Sequence, residues 1–344
     1  MTSLPLIDIS PLLTQESTPE ERDATCRALE DAARNFGFLR VSDHGLPLAP
    51  LRESAAAFFA LPREEKSEIA MAKGGSAWRG WFAVGEELTS GLPDQKEGLY
   101  FGQQLGDDHP AVVAQTPLHG SNLFPRHPEE LGTLVVEYME AASAVAAAIM
   151  DGLEVGLGLE KGTMAKTLGG GEESGYDPTI LFRIFHYPAG SEEGLYGVGE
   201  HTDYGVLTLL AQDDVGGLEV RAPDGTWIQV PADPDVLVVN IGDMLERISG
   251  GFFVSTPHRV RNTSDRSRIS FPLFFDPAWS SRVPPIQGMP ALSEDTPPNV
   301  NRTERWDNAD VSGFDGEYGE YLVAKVRKVF PHLFEAAIAA PPAE

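Results

Sequence analysis

The sequence predicts a mainly β fold with helical additions, an α+β chain built around an antiparallel barrel or jelly roll. Three observations point there. Between residues 180 and 275 the chain breaks into short runs of β-branched and aromatic residues: Ile180 to Phe185, Val206 to Ala211, Leu218 to Arg221, Trp227 to Val230, Val236 to Ile241 and Ile269 to Phe275. Turn signals separate the runs, with Pro223, Asp224 and Gly225 forming a hairpin turn between two of them. No helical crossover lies between the runs, and parallel strands would need one.

The flanking elements follow in order. Thr18, Pro19, Glu20 and Glu21 supply a hydroxyl N-cap, a first-turn proline and a carboxylate three residues after the cap, predicting a helix to about Asn35. Gly37 to Val41 reads as a strand ending near His44 and Gly45, and the chain turns polar again over Phe58 to Lys66. From about Pro128 to Leu157, alanine, leucine, valine, methionine and glutamate predict a long scaffold helix packed on one face. Leu168 to Gly175 reads as a glycine-rich loop, and Tyr318 to Val329 as a C-terminal helix. Residues 1–125 are thus a mixed α/β region packed on a core of residues 126–344, which holds the scaffold helix, the strands and the last helix. Without a repeat or a low-complexity linker between them, the two are expected to form one integrated unit.

Composition narrows the function. With 26 basic against 52 acidic residues the net charge is −26, so the surface field should repel a nucleic-acid backbone. Cys26 is the single cysteine, which leaves no thiolate cluster for zinc or an iron–sulfur centre, and any metal must be held by nitrogen and oxygen. The opening MTSLPLIDIS lacks the basic and apolar regions of a leader, and no apolar run reaches the roughly 18 residues of a bilayer span. A soluble, cytoplasmic protein with no membrane partner is expected.

His201 and Asp203 stand two residues apart in EHTDYG, a spacing that projects both side chains to one side of an extended segment. His258 ends a later strand-like stretch and can close the set from across a barrel. Two imidazoles and one carboxylate make the facial triad of non-haem iron(II), with coordination positions left open. An HxD pair alone occurs by chance in many proteins. Arg268 and Ser270 repeat the i, i+2 spacing, and a guanidinium beside a hydroxyl suits the distal carboxylate of a dicarboxylic acid. Each is ordinary singly; together they are specific.

Collinear segments extend the pattern: PLIDIS at Pro5 to Ser10, GFLRVSDHGL at Gly37 to Leu46, RGW at Arg79 to Trp81, and DQKEGLYFG at Asp94 to Gly102. HTDYGVLTLLAQD at His201 to Asp213, WIQVP at Trp227 to Pro231, VVNIGDMLE at Val238 to Glu246 and HRVRN at His258 to Asn262 continue it. Over nearly its whole length the chain resembles the isopenicillin N synthase-like branch of the iron(II) and 2-oxoglutarate-dependent oxygenases. That resemblance implies a distorted, cupin-like double-stranded β-helix with an N-terminal helical region. It implies Fe(II) on His201, Asp203 and His258, and 2-oxoglutarate on Arg268 and Ser270, with Tyr187 of FHYP touching the co-substrate carboxylate. Where many plant-type members carry asparagine two residues before that tyrosine, this chain has Phe185. The implied reaction consumes O2, converts 2-oxoglutarate to succinate and CO2, and oxidises a small molecule, by default through hydroxylation, with desaturation or cyclisation as other outcomes.

Arg79, Trp81 and Phe82, with neighbouring Trp78, are candidates for the substrate cavity, against a bland reading as core aromatics and a surface ion pair. Leu207, Phe271 and Phe275 face either cavity or core. His44 belongs to a turn, His109, His119, His127 and His332 lie in loop-like contexts without matched partners, and His186 should face away from Tyr187. Rival readings are an iron oxidase of the same fold that needs no 2-oxoglutarate, a zinc hydrolase, and a non-catalytic metabolite-binding jelly roll.

Overall fold

The computed structural model describes residues 3–89, 91–169, 177–190, 195–292, 299–302 and 313–331. His332 and most of the predicted glycine-rich loop, from residue 170 on, lie outside them. Among the described residues the strands are β1 (Leu6–Asp8), β2 (Phe38–Ser42), β3 (Gly80–Phe82), β4 (Leu88–Thr89), β5 (Leu92–Pro93), β6 (Glu97–Gly102), β7 (Thr179–Tyr187), β8 (Val198–His201), β9 (Leu207–Gln212), β10 (Leu218–Arg221), β11 (Trp227–Gln229), β12 (Leu237–Ile241), β13 (His258–Val260) and β14 (Arg268–Asp276). The helices are α1 (Ser10–Leu13), α2 (Pro19–Asn35), α3 (Leu48–Phe59), α4 (Arg63–Lys66), α5 (Pro110–Val113), α6 (Leu131–Gly156), α7 (Thr163–Leu168), α8 (Asp243–Ile248) and α9 (Tyr318–Val329).

Eight strands form the main sheet in the order β1-β2-β12-β9-β14-β7-β6-β3, and four form a minor sheet in the order β11-β10-β13-β8. Every pair in these two sheets is antiparallel except β1 with β2. The predicted jelly roll is therefore present, and four strands of the main sheet come from the N-terminal region. Residues 1–125 are woven into the same sheet as the rest.

Strand alternation gives the main sheet two functional faces. On β14, Arg268, Ser270, Pro272, Phe274 and Asp276 line an internal cavity, and on β9 so do Thr208 and Leu210. The intervening Phe271, Leu273, Phe275, Leu207 and Leu209 belong to the buried core on the other face, where α6 packs. That helix is long and apolar enough by length and composition to cross a membrane, although Glu137, Glu140 and Asp151 interrupt its apolar run. Here it is the scaffold on which α2 and α3 rest. The N-terminus of α2 has the predicted capping box: Thr18 Oγ1 accepts from Glu21 N–H, and the Glu21 carboxylate accepts from Thr18 N–H at 2.8 Å.

Candidate active site

The minor sheet supplies two histidines. His201 ends β8 and His258 opens β13, and the two are register partners in the antiparallel pair, which brings their ring centroids to 4.2 Å. Asp203 follows two residues after His201, and its Oδ1 lies 3.7 Å from His201 Nε2 and 3.8 Å from His258 Nε2. All three donor atoms fall within 4.8 Å of one another, close enough for one ion to bridge them. Each imidazole is fixed from behind. His201 Nδ1 lies 2.8 Å from the Gly199 carbonyl and His258 Nδ1 3.2 Å from the Thr256 carbonyl, so an Nδ1–H donated there turns the Nε2 lone pair to the centre. Asp203 Oδ2 accepts from Thr208 Oγ1 and from Asn240 Nδ2, the latter at 2.7 Å, which leaves Oδ1 for the ion.

Electrostatics set the donors in metal-ready form. Burial, helped by neighbouring His201, pushes the His258 imidazolium down to about 4, so the ring is neutral at physiological pH. Burial alone would raise the Asp203 carboxyl, but the two imidazoles and the bonds from Thr208 and Asn240 bring it below the usual carboxylate range. Two imidazole nitrogens and one carboxylate oxygen are the hard and borderline donors that suit iron(II), and the three residues line one cavity.

The same cavity contains Arg268, Ser270 and Tyr187. Arg268 and Tyr187 are register partners across β14 and β7, and the guanidinium stands 4.7 Å over the Tyr187 ring. Ser270 Oγ lies 3.4 Å from the Tyr187 hydroxyl. Arg268 is fully buried; Nη2 donates to Gln212 Oε1 at 3.3 Å, while Nε and Nη1 have no hydrogen-bond partner. A buried guanidinium with two unmet donors is costly on its own, and the distal carboxylate of a dicarboxylic acid meets both.

The substrate-cavity expectations require correction. Leu207 and Phe275 point to the core face, because the strand parity that turns Thr208 and Phe274 inward turns their neighbours outward. Trp81 donates its indole N–H to Glu97 at 2.9 Å, and Phe82 stands behind the wall against Tyr100, Phe185 and Phe330. Arg79 makes no surface ion pair: it is 1% exposed and donates to the Leu118 carbonyl at 2.7 Å. Of that segment, Trp78 lines the cavity. His186 faces away from it, pairing with Glu97 at 3.0 Å and stacking on Phe59. His44 bonds the Asp235 carbonyl, His109 caps α5 and His119 packs on Trp279; each has a local structural role.

Sequence reasoning missed Thr208, Asn240 and Gln212, the residues that brace Asp203 and Arg268. Their signal was a polar side chain inside an otherwise apolar strand, as in LTLLAQ and LVVNI. It also missed the ionisable residues Glu87, Lys96, Arg183 and Asp276, which line the same cavity.

Known proteins give the chain its family. The 2OG-Fe(II) oxygenase superfamily matches residues 178–277, and the N-terminal region of the non-haem dioxygenases in morphine synthesis matches residues 4–127. A Dictyostelium discoideum protein named a "probable iron/ascorbate oxidoreductase" is 41% identical over 96% of this chain and 95% of its own length. A homoarginine-6-hydroxylase of Glycine max is 33% identical over 96% of this chain and 98% of its own. The crystal structure of a full-length Neurospora crassa protein in complex with alpha-KG superposes with a TM-score of 0.71 at 27% identity, covering 94% of this chain and 95% of that one. The chain belongs to the 2OG-Fe(II) oxygenase superfamily. Its fold is the double-stranded β-helix of that family, and it is an Fe(II)- and 2-oxoglutarate-dependent dioxygenase.

Proposed function

We propose that His201, Asp203 and His258 hold the iron, that Arg268, Ser270 and Tyr187 hold the distal end of 2-oxoglutarate, and that the product is a hydroxylated small molecule. The observation that carries this reading is the buried Arg268 guanidinium with two unmet donors in the same cavity as the triad. The bound metal, with 2-oxoglutarate and O2, supplies the oxidising power, and succinate and CO2 are the co-products.

The chain's own residues bind, orient and exclude. Backbone carbonyls of Gly199 and Thr256 fix the imidazole tautomers, and Thr208 with Asn240 fixes which carboxylate oxygen Asp203 presents. Leu181, Phe274, Leu322 and Val326 make an apolar wall that limits water around the reacting centre. Hydroxylation is favoured over desaturation or cyclisation by the homoarginine-6-hydroxylase relative. We infer a cytoplasmic enzyme without a membrane partner, and the net charge of −26 argues against a nucleic-acid partner; cell fractionation that finds it in the membrane or nuclear fraction would count against that.

The test is succinate release. Iron-loaded protein should convert 2-oxoglutarate to succinate slowly without substrate, and Arg268→Ala should raise the 2-oxoglutarate requirement by roughly 30-fold or more, as expected for a buried charge-assisted contact. An unchanged requirement would overturn the anchor.

A further inference from the structure

We propose that the prime substrate is a carboxylate on a compact apolar body, and that its carboxylate is held by Arg183 with Arg79 as a second cation behind it. The inference rests on the cavity being the active site, as argued above, and adds the class of molecule it takes.

Arg183 lies on β7, four residues from Tyr187 and on the same face, so it lines the cavity at a distance from Arg268. Its register partner is Tyr100 on β6, and its guanidinium carbon stands 3.5 Å over that ring. Nη1 donates to the carbonyls of Phe101 and Phe182, at 3.0 and 3.1 Å, which orients the group. No carboxylate of the described residues lies within ion-pair distance. Glu87 and Asp276 act on Arg183 from farther away, and both are engaged elsewhere: Glu87 with Lys96 at 2.7 Å and with the Tyr100 hydroxyl, Asp276 with the Tyr318 hydroxyl at 2.6 Å.

Arg79 reaches the same wall from the segment before β3. Its guanidinium occupies the space over Gly102, where a Cβ would collide with Nη2, and Gly102 shares the cavity-side face of β6 with Tyr100. Nε and Nη1 have no hydrogen-bond partner, and no ion pair forms among the described residues. Burial, with repulsion from Arg183 added, pulls the guanidinium down to about 9. Two neighbouring cations out of water, neither with a carboxylate at ion-pair distance among the described residues, are expensive, and an anion placed between them and the cavity relieves both.

The other cavity cations are already committed. Lys96 pairs with Glu87 and Asp94, and Arg268 is the anchor for 2-oxoglutarate. Arg183 remains for the substrate. The apolar lining of the same cavity includes Trp78, Leu181, Phe274, Leu322, Val326 and Val329, which suits a hydrocarbon or aromatic body in preference to a sugar or a nucleotide.

The experiment compares acids with their primary amides: benzoate, hexanoate and 3-phenylpropanoate, each against its amide, titrated anaerobically into protein loaded with iron and 2-oxoglutarate. Binding is read from tryptophan fluorescence, since Trp78 lines the cavity, and from the shift in melting temperature. The acid of at least one pair should bind tenfold or more tightly than its amide. Arg183→Gln should abolish that preference, Arg183→Lys should keep part of it, and Arg79→Met should reduce it severalfold. The visible charge-transfer band of bound 2-oxoglutarate should persist in all three, which also shows that they are folded. An absence of preference in every pair, a preference that survives Arg183→Gln, or loss of the band in Arg183→Lys would each overturn the proposal. Repeating the comparison without iron separates the two readings: an acid preference retained there, together with no band in the iron-loaded wild type, strikes the co-substrate assignment and leaves the anion site standing.

Discussion

As the proposed iron ligand, Asp203 would present one oxygen to the metal while the other stays occupied, and Thr208 and Asn240 divide its carboxylate that way. Asp203→Ala should abolish tight iron binding and turnover with the far-ultraviolet dichroism unchanged; iron bound as tightly as in the wild type would remove the site assignment. Asp276 gives a pH prediction at the same scale. Burial raises its carboxyl to about 7, with the Asp203 charge adding to the shift and the Tyr318 hydroxyl opposing it. The folded protein therefore keeps a proton that the unfolded chain releases near pH 4, so this contribution to stability is full below pH 4 and is lost as pH rises through 7. In metal-free protein, Asp276→Asn should gain on the order of 3 kcal/mol relative to wild type at pH 8 and little at pH 4, read from urea unfolding at both values. An equal effect at both would show that Asp276 is ionised throughout. The candidate ligand pairs His201 with Asp203 and Arg268 with Ser270 were legible in the sequence because HxD and RxS are local i, i+2 patterns. Thr208, Asn240 and Arg183 were not, since their roles depend on which strands become neighbours.

Strand parity governs at the scale of the element. On β14 one register places Arg268, Ser270 and Phe274 in the cavity and Phe271 and Phe275 in the core. Phe275→Ala should therefore cost about 3–5 kcal/mol of stability, while Phe274→Ala should be milder on stability and should weaken substrate binding or uncouple succinate formation from product formation. Equal losses of stability with no kinetic distinction would contradict the assigned faces. The run Ile269 to Phe275 was readable as a strand, but a continuous apolar run gives no alternation from which to choose its inward face. The predicted α2 and α9 match their boundaries because capping residues and amphipathic spacing act locally. By contrast β6, EGLYFG, reads poorly as a strand, and pairing with β7 imposes it. Its glycines make room for others: a Cβ at Gly98 would meet the Phe185 and Phe82 rings at 2.8 Å, and Gly102 admits Arg79.

For the whole molecule, the N-terminal region contributes β1, β2, β3 and β6 to the main sheet, and β6 forms one cavity wall through Tyr100. A fragment of residues 126–344 would expose the unpaired edges of β12 and β7 and should fail to give a cooperative unfolding transition. The intact protein should unfold in one. A folded, iron-binding fragment would show that the two regions are independent. The most direct measurement of the account as a whole is anaerobic titration of iron-loaded protein with 2-oxoglutarate, following the visible charge-transfer band of the chelate in wild type, Asp203→Ala and Arg268→Ala. The account predicts a saturable band in wild type, none in Asp203→Ala, and one that needs far more 2-oxoglutarate in Arg268→Ala. A band of undiminished strength and affinity in either variant would contradict it.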